Sequence, residues 1–389
     1  MRVLRGFLRI MAVVAITLAV LEGALRLFAP RLPGNTGVIA RYITTGQPFS
    51  QAWTPAWREN RDHYYTLRPN ISDALQYGSP SVSFRLTTHK LWDDGLAPDE
   101  GIGFRTAPVD FGVDAVVVGD SFGFCFTEQA DCWVDLWAAR ENLGTVNLST
   151  PVTGSQSHAR MIEDFATPLE PPLVVWQFFG NDFYDDYVLD AWQGVIEPAL
   201  EEAPEDRGGS WIARNTVVGG LLELVTTGTW SGFPEGDKAY QPQYRAPYPG
   251  GVLEFGKPYE LTALDIRSLE NGYGMIKSKE ALETAKALVE SWGGRLVVVM
   301  IPTREEVYSE ITEPVMGLEN LVTLAGPRAV MESYCGDLNI ACLDPTLDLA
   351  VVGKTTALYY ADDMHLNAAG NAALVDILIP WLQTLKDGE

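Results

Sequence analysis

The chain has 389 residues, of which 47% are hydrophobic and 20% are charged, and its formal net charge is −23. This much apolar material excludes an intrinsically disordered chain and is enough for one large domain or two ordinary ones. The strong negative charge excludes binding to DNA or RNA, because both are polyanions.

The first predicted element is an N-terminal apolar helix. Arginines precede the run IMAVVAITLAVL, and the segment from Phe7 to Phe28 has the length of a bilayer-spanning helix, about 20 residues. Without a clear A-x-A cleavage pattern, residues 1–30 are predicted to be an uncleaved signal anchor rather than a cleaved signal peptide. The basic end then stays in the cytoplasm and the rest of the chain lies outside. Glu22 and Arg26 are four residues apart, so we expect them to pair on one helix face.

Residues 31–110 are rich in proline, glycine and aromatic residues, and they are predicted to be irregular apart from a short strand at SVSFRLTT. From residue 111 onward, apolar runs of strand length alternate with helical stretches. The predicted strands are Asp114–Val118, Thr145–Leu148, Leu173–Phe179, Arg295–Ile301 and Ile340–Leu343. The predicted helices are Trp133–Asn142, Gln156–Phe165, Ser278–Trp292, Pro327–Tyr334 and Ala368–Leu385, the last with Asn367 as its N-cap. Continuous apolar strands between helices indicate an α/β fold with a parallel sheet covered on both faces.

One long interval, about residues 185–274, interrupts this alternation. It contains the acidic stretch EEAPEDRGG, the aromatic and proline-rich stretch YQPQYRAPYPGG and an apolar helix candidate, NTVVGGLLELV. A connection of this length inside a compact domain is usually an insertion or a lid. We therefore predict a domain over residues 111–386 with an insertion at about 185–274.

The four cysteines form two pairs that are close in the sequence, Cys125 with Cys132 and Cys335 with Cys342. No C-x-x-C pattern occurs, which argues against a zinc ribbon or thioredoxin chemistry. Two small disulfide loops suit the oxidising compartment that the anchor predicts. Four cysteines allow three connectivities, and we predict the two local pairs; four buried free thiols are the alternative.

Ser121 lies in the stretch AVVVGDSFGFC, directly after the first strand of the predicted sheet. In doubly wound sheets, ligands bind at the carboxyl ends of the strands, where this serine lies. A serine hydroxyl becomes a nucleophile when a base takes its proton, and that base is usually histidine. Among the four histidines, His365 is the candidate because it lies in a loop, YYADDMHLNAAGN, before the final helix.

Asp362 precedes His365 by three residues, a spacing that lets its carboxylate reach the imidazole Nδ1–H and leaves Nε2 to face a serine. Asp363 is the adjacent rival, but the spacing favours Asp362. An acyl-transfer site also needs donors for an oxyanion, and two further strand-end loops offer them. Gly154 in NLSTPVTGSQ has a backbone N–H that a ligand can approach, and Asn181 in WQFFGNDFYDD has a side-chain amide.

Four blocks of the chain resemble, in this order, those of the SGNH (GDSL) hydrolase superfamily: GDS at 119–121, Gly154, GND at 180–182 and DxxH at 362–365. The resemblance covers about residue 111 to the C-terminus and implies a flavodoxin-like, three-layer, doubly wound parallel sheet. It implies Ser121 as nucleophile, His365 as base and then acid, and Asp362 as the partner of the histidine. It also implies an oxyanion hole formed by the N–H groups of Ser121 and Gly154 and by Asn181.

The anchor with its E-x-x-x-R pattern and the strand in LVVVMIPTREEVY also resemble a membrane-anchored bacterial subgroup of that superfamily. Some relatives of the subgroup acetylate or deacetylate exported polysaccharide. The chain departs from the family pattern at Cys125 and Cys132, which fall in the loop after the nucleophile, where a disulfide would stiffen the site.

These residues predict a membrane-anchored, extracytoplasmic serine esterase or acylhydrolase that acts through an acyl-enzyme on an ester or an acylated-glycan substrate. Two other functions stay open: an O-acyltransferase for a cell-envelope or exported polysaccharide, and a non-catalytic homologue that binds glycan. GDSFG at 119–123 also fits the nucleophile elbow of α/β-hydrolases, although that fold has several strands before its serine. No metal-ligand cluster, P-loop or dinucleotide fingerprint occurs in the sequence, so we expect neither a metal nor a cofactor.

Overall fold

The computed structural model describes residues 2–32, 34–45, 57–60, 63–76, 82–106, 112–197, 210–227, 230 and 242–387. The chain divides into two compact units. The first contains Met1–Thr54, Gln76–Pro80 and Glu202–Ala239, and the second contains Pro55–Leu75, Ser81–Glu201 and Tyr240–Glu389. Part of the predicted insertion therefore folds with the N-terminal segment.

The elements are numbered in chain order. The strands are β1 Trp57–Asn60, β2 Tyr64–Leu67, β3 Ser72–Gln76, β4 Ser83–Thr87, β5 Ala115–Val118, β6 Thr145–Asn147, β7 Leu173–Phe178, β8 Tyr244–Tyr248, β9 Gly251–Phe255, β10 Arg295–Met300 and β11 Ala341–Leu343. The helices are α1 Arg2–Phe28, α2 Gly34–Thr45, α3 Ser121–Phe124, α4 Trp133–Glu141, α5 Ser155–Met161, α6 Asp182–Trp192, α7 Trp211–Asn215, α8 Val217–Thr227, α9 Pro258–Ala263, α10 Leu269–Ser291, α11 Arg304–Val307, α12 Ser309–Met316, α13 Leu318–Leu338, α14 Thr346–Gly353 and α15 Ala368–Asp387. A π-helical turn, Ile162–Ala166, continues α5.

In the first unit, α1 includes the stretch Arg9–Phe28, which has a mean hydropathy of 2.0 and is 0% buried. This helix is long and apolar enough to cross a membrane. The unit has a small apolar core of its own, formed by Ala29, Ile39, Ala40, Val217 and Trp230. This core joins α2 to α8, which lies in the predicted insertion.

The second unit is built on a five-stranded sheet with the order β11-β10-β7-β5-β6. All four neighbouring pairs are parallel. In order of appearance the five strands therefore follow the flavodoxin-like arrangement, with the first strand between the second and the third. The five strands are the five predicted ones, which confirms the predicted fold class.

Two apolar cores lie on the two faces of this sheet. In β5, Ala115 and Val117 face one core, and Val116 and Val118 face the other. Successive side chains of a strand point to opposite faces, so a strand buried on both faces is apolar throughout. Helices α4 and α15 contribute to the first core, and α5, α10 and α13 contribute to the second.

The predicted insertion, about residues 185–274, is divided between the two units. Helix α6, the β8–β9 hairpin and α9 belong to the second unit, and only Glu202–Ala239 packs with the first. Helix α10 begins at Leu269 rather than at the predicted Ser278, and the Ser268 hydroxyl caps it by accepting the Asn271 N–H at 3.1 Å. The stretch LENGYGMIK contains two glycines and lacks apolar periodicity, which is why its helix does not show in the sequence.

The region predicted to be irregular, residues 31–110, contains regular elements in its described parts. Helix α2 belongs to the first unit, and β1 pairs with β2 in an antiparallel hairpin. Strand β4, which forms most of the predicted strand SVSFRLTT, pairs with β3. These strands have four or five residues each, too few for a periodic pattern to be distinct.

Candidate active site

The Ser121 hydroxyl is held at the carboxyl end of β5. The strand ends at Val118, and the short helix α3 begins at Ser121. The buried Asp120 carboxylate caps α3 by accepting the Phe122 N–H at 2.8 Å. Burial raises the pKa of Asp120 to about 6, against the hydrogen bond from Phe122 that lowers it. Asp120 therefore shapes the turn, and the half-buried Ser121 side chain is left at its end.

Gln177, a residue that sequence analysis did not identify, fixes this turn from the neighbouring strand β7. Its Oε1 accepts the N–H groups of Asp120 at 3.0 Å and Gly123 at 2.8 Å. A Cβ at Gly119 would lie 2.3 Å from the same Oε1, so only glycine allows this close approach. The available signal was a polar residue, fully buried here, inside the apolar run LVVWQF.

His365 contacts Ser121 directly. Its Nε2 lies 2.8 Å from Ser121 Oγ, and the side chain is almost fully buried. The ring packs between two phenylalanines, with centroid distances of 4.9 Å to Phe122 and 4.4 Å to Phe126. The final loop is held in place before α15, where Asn367 Oδ1 accepts the Gly370 N–H at 3.0 Å as the predicted N-cap. The packing of the ring between the two phenylalanines and the geometry of the final loop therefore hold the imidazole in one orientation.

In the structure, the carboxylate that contacts His365 Nδ1 is that of Asp363, whereas the sequence predicted Asp362. His365 Nδ1 lies 2.6 Å from Asp363 Oδ1, and the same oxygen accepts the His365 backbone N–H at 3.0 Å. This second bond forms an Asx turn, which brings a carboxylate next to the side chain two residues later. Burial alone would raise the pKa of Asp363, but the interaction with His365 outweighs it and lowers that pKa below its usual range.

The two predicted oxyanion loops pack against each other. Gly154 precedes α5, and a Cβ there would lie 2.5 Å from the Asp182 carbonyl oxygen at the start of α6. Asn181 lies between β7 and α6, is 7% exposed, and donates from Nδ2 to Asp185 Oδ2 at 2.9 Å. Both loops follow strands that flank β5 in the sheet, so they lie at the same edge as Ser121.

Behind Asn181, α6 buries several carboxyl groups. Burial raises the pKa of Asp185 to about 8 and raises the pKa values of Asp182 and Asp186 well above the usual range. His158 Nδ1 lies 3.9 Å from Asp182 Oδ2, and burial lowers the pKa of His158 to about 3. Among the described residues, no hydrogen bond satisfies either carboxyl oxygen of Asp182. Burial therefore favours the neutral form of each of these three carboxyl groups.

Two features hold the loop after Ser121. A disulfide joins Cys125 to Cys132 in this loop, and a second disulfide joins Cys335 to Cys342 elsewhere in the unit. The buried guanidinium of Arg105 donates to the carbonyls of residues 124, 125 and 127 and stacks over the Phe124 ring. Burial lowers the pKa of Arg105 to about 10, so it remains a cation. Sequence analysis did not identify Arg105, because its partners are backbone oxygens.

The order of the strands excludes the nucleophile-elbow alternative. Ser121 follows the first strand of the sheet, and the acid lies two residues before the histidine. In α/β-hydrolases, several strands precede the serine and the acid lies well upstream of the histidine. Among the described residues, no group of three or more histidine, cysteine, aspartate or glutamate side chains is arranged to hold a metal ion.

No protein-family model matches the sequence, and no curated protein matches it. The chain resembles solved structures of GDSL hydrolases. They include a putative lipolytic protein of the G-D-S-L family from Desulfitobacterium hafniense, which is 12% identical with a TM-score of 0.37 and covers 69% of this chain and 99% of its own. A catalytic mutant of Axe2, an acetylxylan esterase from Geobacillus stearothermophilus, is 11% identical with a TM-score of 0.39, and the match covers 70% of this chain and 95% of Axe2. The esterase EstA from Pseudoalteromonas is 13% identical with a TM-score of 0.36 and coverages of 70% and 99%. At this level of similarity, a function has to be supported by the geometry of the site in this chain.

Proposed function

We propose that this chain is a membrane-anchored serine esterase or acylhydrolase that acts outside the cytoplasm through an acyl-enzyme. The observation that carries the proposal is the continuous series of contacts from Ser121 Oγ to His365 Nε2 at 2.8 Å and from His365 Nδ1 to Asp363 Oδ1 at 2.6 Å. A nucleophile within hydrogen-bonding distance of a base, with the base oriented by a third group, is the arrangement that activates a serine hydroxyl.

In the proposed mechanism, Ser121 Oγ attacks the ester carbonyl while His365 Nε2 takes its proton. The Asp363 carboxylate, whose pKa is lowered, stabilises the imidazolium that forms. The imidazolium then gives this proton to the departing alcohol, and the acyl group stays on the serine. In the second half, His365 takes a proton from water as the water attacks the acyl-enzyme. The imidazolium then returns this proton to Ser121 Oγ as the bond to the acyl group breaks and the acid leaves.

The carbonyl oxygen becomes negatively charged in both steps. We propose that the N–H groups of Ser121 and Gly154 and the side-chain amide of Asn181 stabilise this charge. The support is that all three follow neighbouring parallel strands and that Gly154 packs directly against the helix that begins after Asn181. Removing one such donor costs about 10²- to 10³-fold in kcat in related chemistry.

The extracytoplasmic location rests on two features. Helix α1 contains a 20-residue apolar stretch preceded by basic residues, the arrangement of a signal anchor. All four cysteines are paired in disulfides, which persist in oxidising compartments and are rare in the cytosol. Both features support a location of the hydrolase unit on the outer side of the membrane.

The test is hydrolysis of p-nitrophenyl acetate by the full chain in detergent, beside Ser121→Ala and His365→Ala. We expect both variants to lose about 10³-fold or more in kcat/KM while their circular dichroism stays unchanged. A fluorophosphonate should label the wild type and fail to label Ser121→Ala. Equal rates of p-nitrophenyl acetate hydrolysis by the wild type and Ser121→Ala would refute the proposal. A wild type that neither hydrolyses this ester nor reacts with the fluorophosphonate would also refute it.

A second candidate, O-acyl transfer to a polysaccharide hydroxyl, uses the same acyl-enzyme. The observation in its favour is the tyrosine-rich β8–β9 hairpin, whose Glu254 N–H donates to the Ala361 carbonyl at 2.7 Å in the loop that carries His365. Aromatic side chains with polar groups suit a sugar acceptor. Product analysis with an acyl donor and a glycan present distinguishes the two: an acylated glycan supports transfer, and free acid alone excludes it.

A further inference from the structure

Two charged side chains in the last turns of α1 hold the start of α8. The Glu22 carboxylate accepts the N–H groups of Val217 and Val218, each at 3.0 Å, and so caps α8. Arg26 donates to Glu22 Oε1 at 2.6 Å, as their spacing predicts, and to the Asn215 carbonyl at 2.6 Å. An acidic group at a helix N-terminus satisfies orphan N–H donors and the helix dipole. A segment nearly two hundred residues away in the sequence is thereby fixed to the apolar helix.

Apolar packing holds the same elements together. Val217 of α8 packs with Ile39 and Trp230 in the small core of the first unit, and Leu25 of α1 packs against this core. The Trp230 indole N–H donates to the Ala213 carbonyl at 2.6 Å, which ties α7 to the same core. Helices α7 and α8 are therefore a built part of the unit that contains α1.

These two helices expose large apolar side chains. The exposed set, which we call the 211–225 patch, consists of Trp211 at 72%, Ile212 at 59%, Leu222 at 65% and Val225 at 82% exposure. Leu222 and Val225 are three residues apart and so lie on one face of α8. The patch belongs to the same unit as α1, in which most apolar side chains between Arg9 and Phe28 are exposed, so lipid is the surrounding that we expect for both.

The depth of the contact agrees with a lipid interface. Glu22 lies six residues before the end of α1 at Phe28, about 9 Å along the helix axis. When Arg9–Phe28 spans the bilayer, α7 and the start of α8 lie at the boundary between headgroups and acyl chains. Interfacial helices bury their apolar face about 5–10 Å into this boundary, and tryptophan is enriched there.

We propose that the α7–α8 pair is a second membrane-contacting element, which inserts the 211–225 patch into the outer-leaflet interface beside α1. The inference rests on the proposed membrane anchor, because α1 supplies the reference depth. The occupant of the patch is phospholipid. The Glu22 carboxylate sets the position of the pair by holding the first two N–H groups of α8.

The test uses the full chain in proteoliposomes of phosphatidylethanolamine and phosphatidylglycerol, with single cysteines at Leu222 and Val225 labelled with an environment-sensitive fluorophore. All four native cysteines are paired, so a new cysteine is the free thiol. A third label at Ile16, 64% exposed on α1, reports the anchor, and a fourth at Leu347, 81% exposed on α14 of the other unit, controls for the probe itself. Nitroxide lipids serve as the quencher.

We expect lipid nitroxide near the headgroup to quench the labels at 222 and 225 by at least about twofold, while a label at 347 is unaffected. A label at 16 should be quenched by nitroxide deep in the acyl chains.

Unquenched labels at 222 and 225 beside a quenched label at 16 would overturn the inference and leave the proposed anchor intact. If the label at 16 is also unquenched, the anchor itself is wrong. Labels at 222 and 225 that are blue-shifted but unquenched would show that a second copy covers the patch, and this result would refute the proposal. Equal quenching of the label at 347 would show that the fluorophore itself partitions into lipid, and this result would also refute the proposal.

The role of Glu22 has its own variant. Glu22→Gln keeps the size of the side chain but leaves one acceptor oxygen for two N–H donors, so it should reduce the quenching at 222 and 225 while leaving that at 16 unchanged. Glu223→Gln makes the same change on α8 itself, outside the cap, and should alter none of the labels. Unchanged quenching in Glu22→Gln would show that Glu22 does not set the position of the pair.

Discussion

Asp363 Oδ1 contacts His365 at two points, the imidazole Nδ1 at 2.6 Å and the backbone N–H at 3.0 Å. One oxygen atom therefore fixes both the loop backbone and the ring. With Nδ1 engaged in this way, the imidazole presents Nε2 to Ser121, 2.8 Å away. The neighbouring Asp362 lies one position earlier in the same loop, which provides a matched control.

We predict that Asp363→Asn lowers kcat/KM for p-nitrophenyl acetate by about 10³- to 10⁴-fold, because the amide no longer stabilises the imidazolium and favours the wrong tautomer. Asp362→Asn makes the same chemical change one residue away and should cost less than about tenfold. Steady-state kinetics of the two purified variants provide the measurement. Equal losses of kcat/KM in the two variants, or a larger loss in Asp362→Asn, would contradict the assignment of Asp363 as the partner of His365 and favour Asp362.

The buried carboxyl of Asp185 predicts a pH dependence of stability. Its pKa is raised to about 8 by burial, so the folded state binds a proton that the unfolded state has released at neutral pH. The stabilisation is complete below the unfolded pKa, near 4, and is lost as the pH rises through about 8. We expect the Tm of the wild type to fall between about pH 5 and pH 9, and to fall less in Asp185→Asn.

Thermal unfolding at intervals of pH provides the measurement for Asp185. The control is Asp376→Asn, since the Asp376 side chain is 67% exposed and its pairing with Arg140 contributes little. If the Tm of Asp185→Asn changes with pH as much as the Tm of the wild type does, the prediction is contradicted. Because Asp185 Oδ2 accepts from Asn181 Nδ2, the variant should also lower kcat with little change in KM.

The two disulfides allow stability and activity to be separated. Each joins cysteines seven positions apart, so the chain-entropy estimate is the same for both, about 2–3 kcal/mol. We expect the paired serine variants of Cys125/Cys132 and Cys335/Cys342 to lose similar free energies of unfolding in urea. Only the first pair borders the nucleophile, so only its loss should lower kcat, by about tenfold to 10²-fold. Equal effects of both variants on kcat would refute the local role.

Arg304 predicts a large effect on stability. It is fully buried and donates to Glu260 at 3.2 Å and to Glu305 at 3.2 Å, both of which are also buried. Arg304→Met leaves two buried carboxyl groups without their cation, which should cost about 3–5 kcal/mol. The control Arg267→Met removes an exposed pair with Asp265 and should cost less than about 1 kcal/mol. Urea unfolding followed by circular dichroism measures both, and similar losses would contradict the prediction.

The fold and the two candidate catalytic side chains, Ser121 and His365, were predictable from the sequence. Strands buried on both faces are continuous apolar runs, so all five strands of the sheet are visible as such, and Ser121 and His365 follow from their places in strand-end loops. The anchor helix and the Glu22–Arg26 pair follow equally from local spacing. These features depend on composition and periodicity within one segment, which is the information that a single sequence contains.

The tertiary structure decided what depends on long-range contacts or on backbone dihedral angles. The choice of Asp363 over Asp362 depends on a turn whose geometry the spacing of residues does not specify. Gln177 and Arg105 act on backbone atoms brought close by folding, and a backbone atom has no signature in the sequence. Likewise, α8 and α1 meet across nearly two hundred residues, so only folding shows that Glu22 caps a helix of the insertion. The sequence by itself predicted the sheet, Ser121, His365 and the apolar N-terminal helix, because each is encoded locally. The contact between Asp363 and His365 depends instead on the backbone geometry of their turn, and the supporting contacts of Gln177 and Arg105 arise only where distant segments meet.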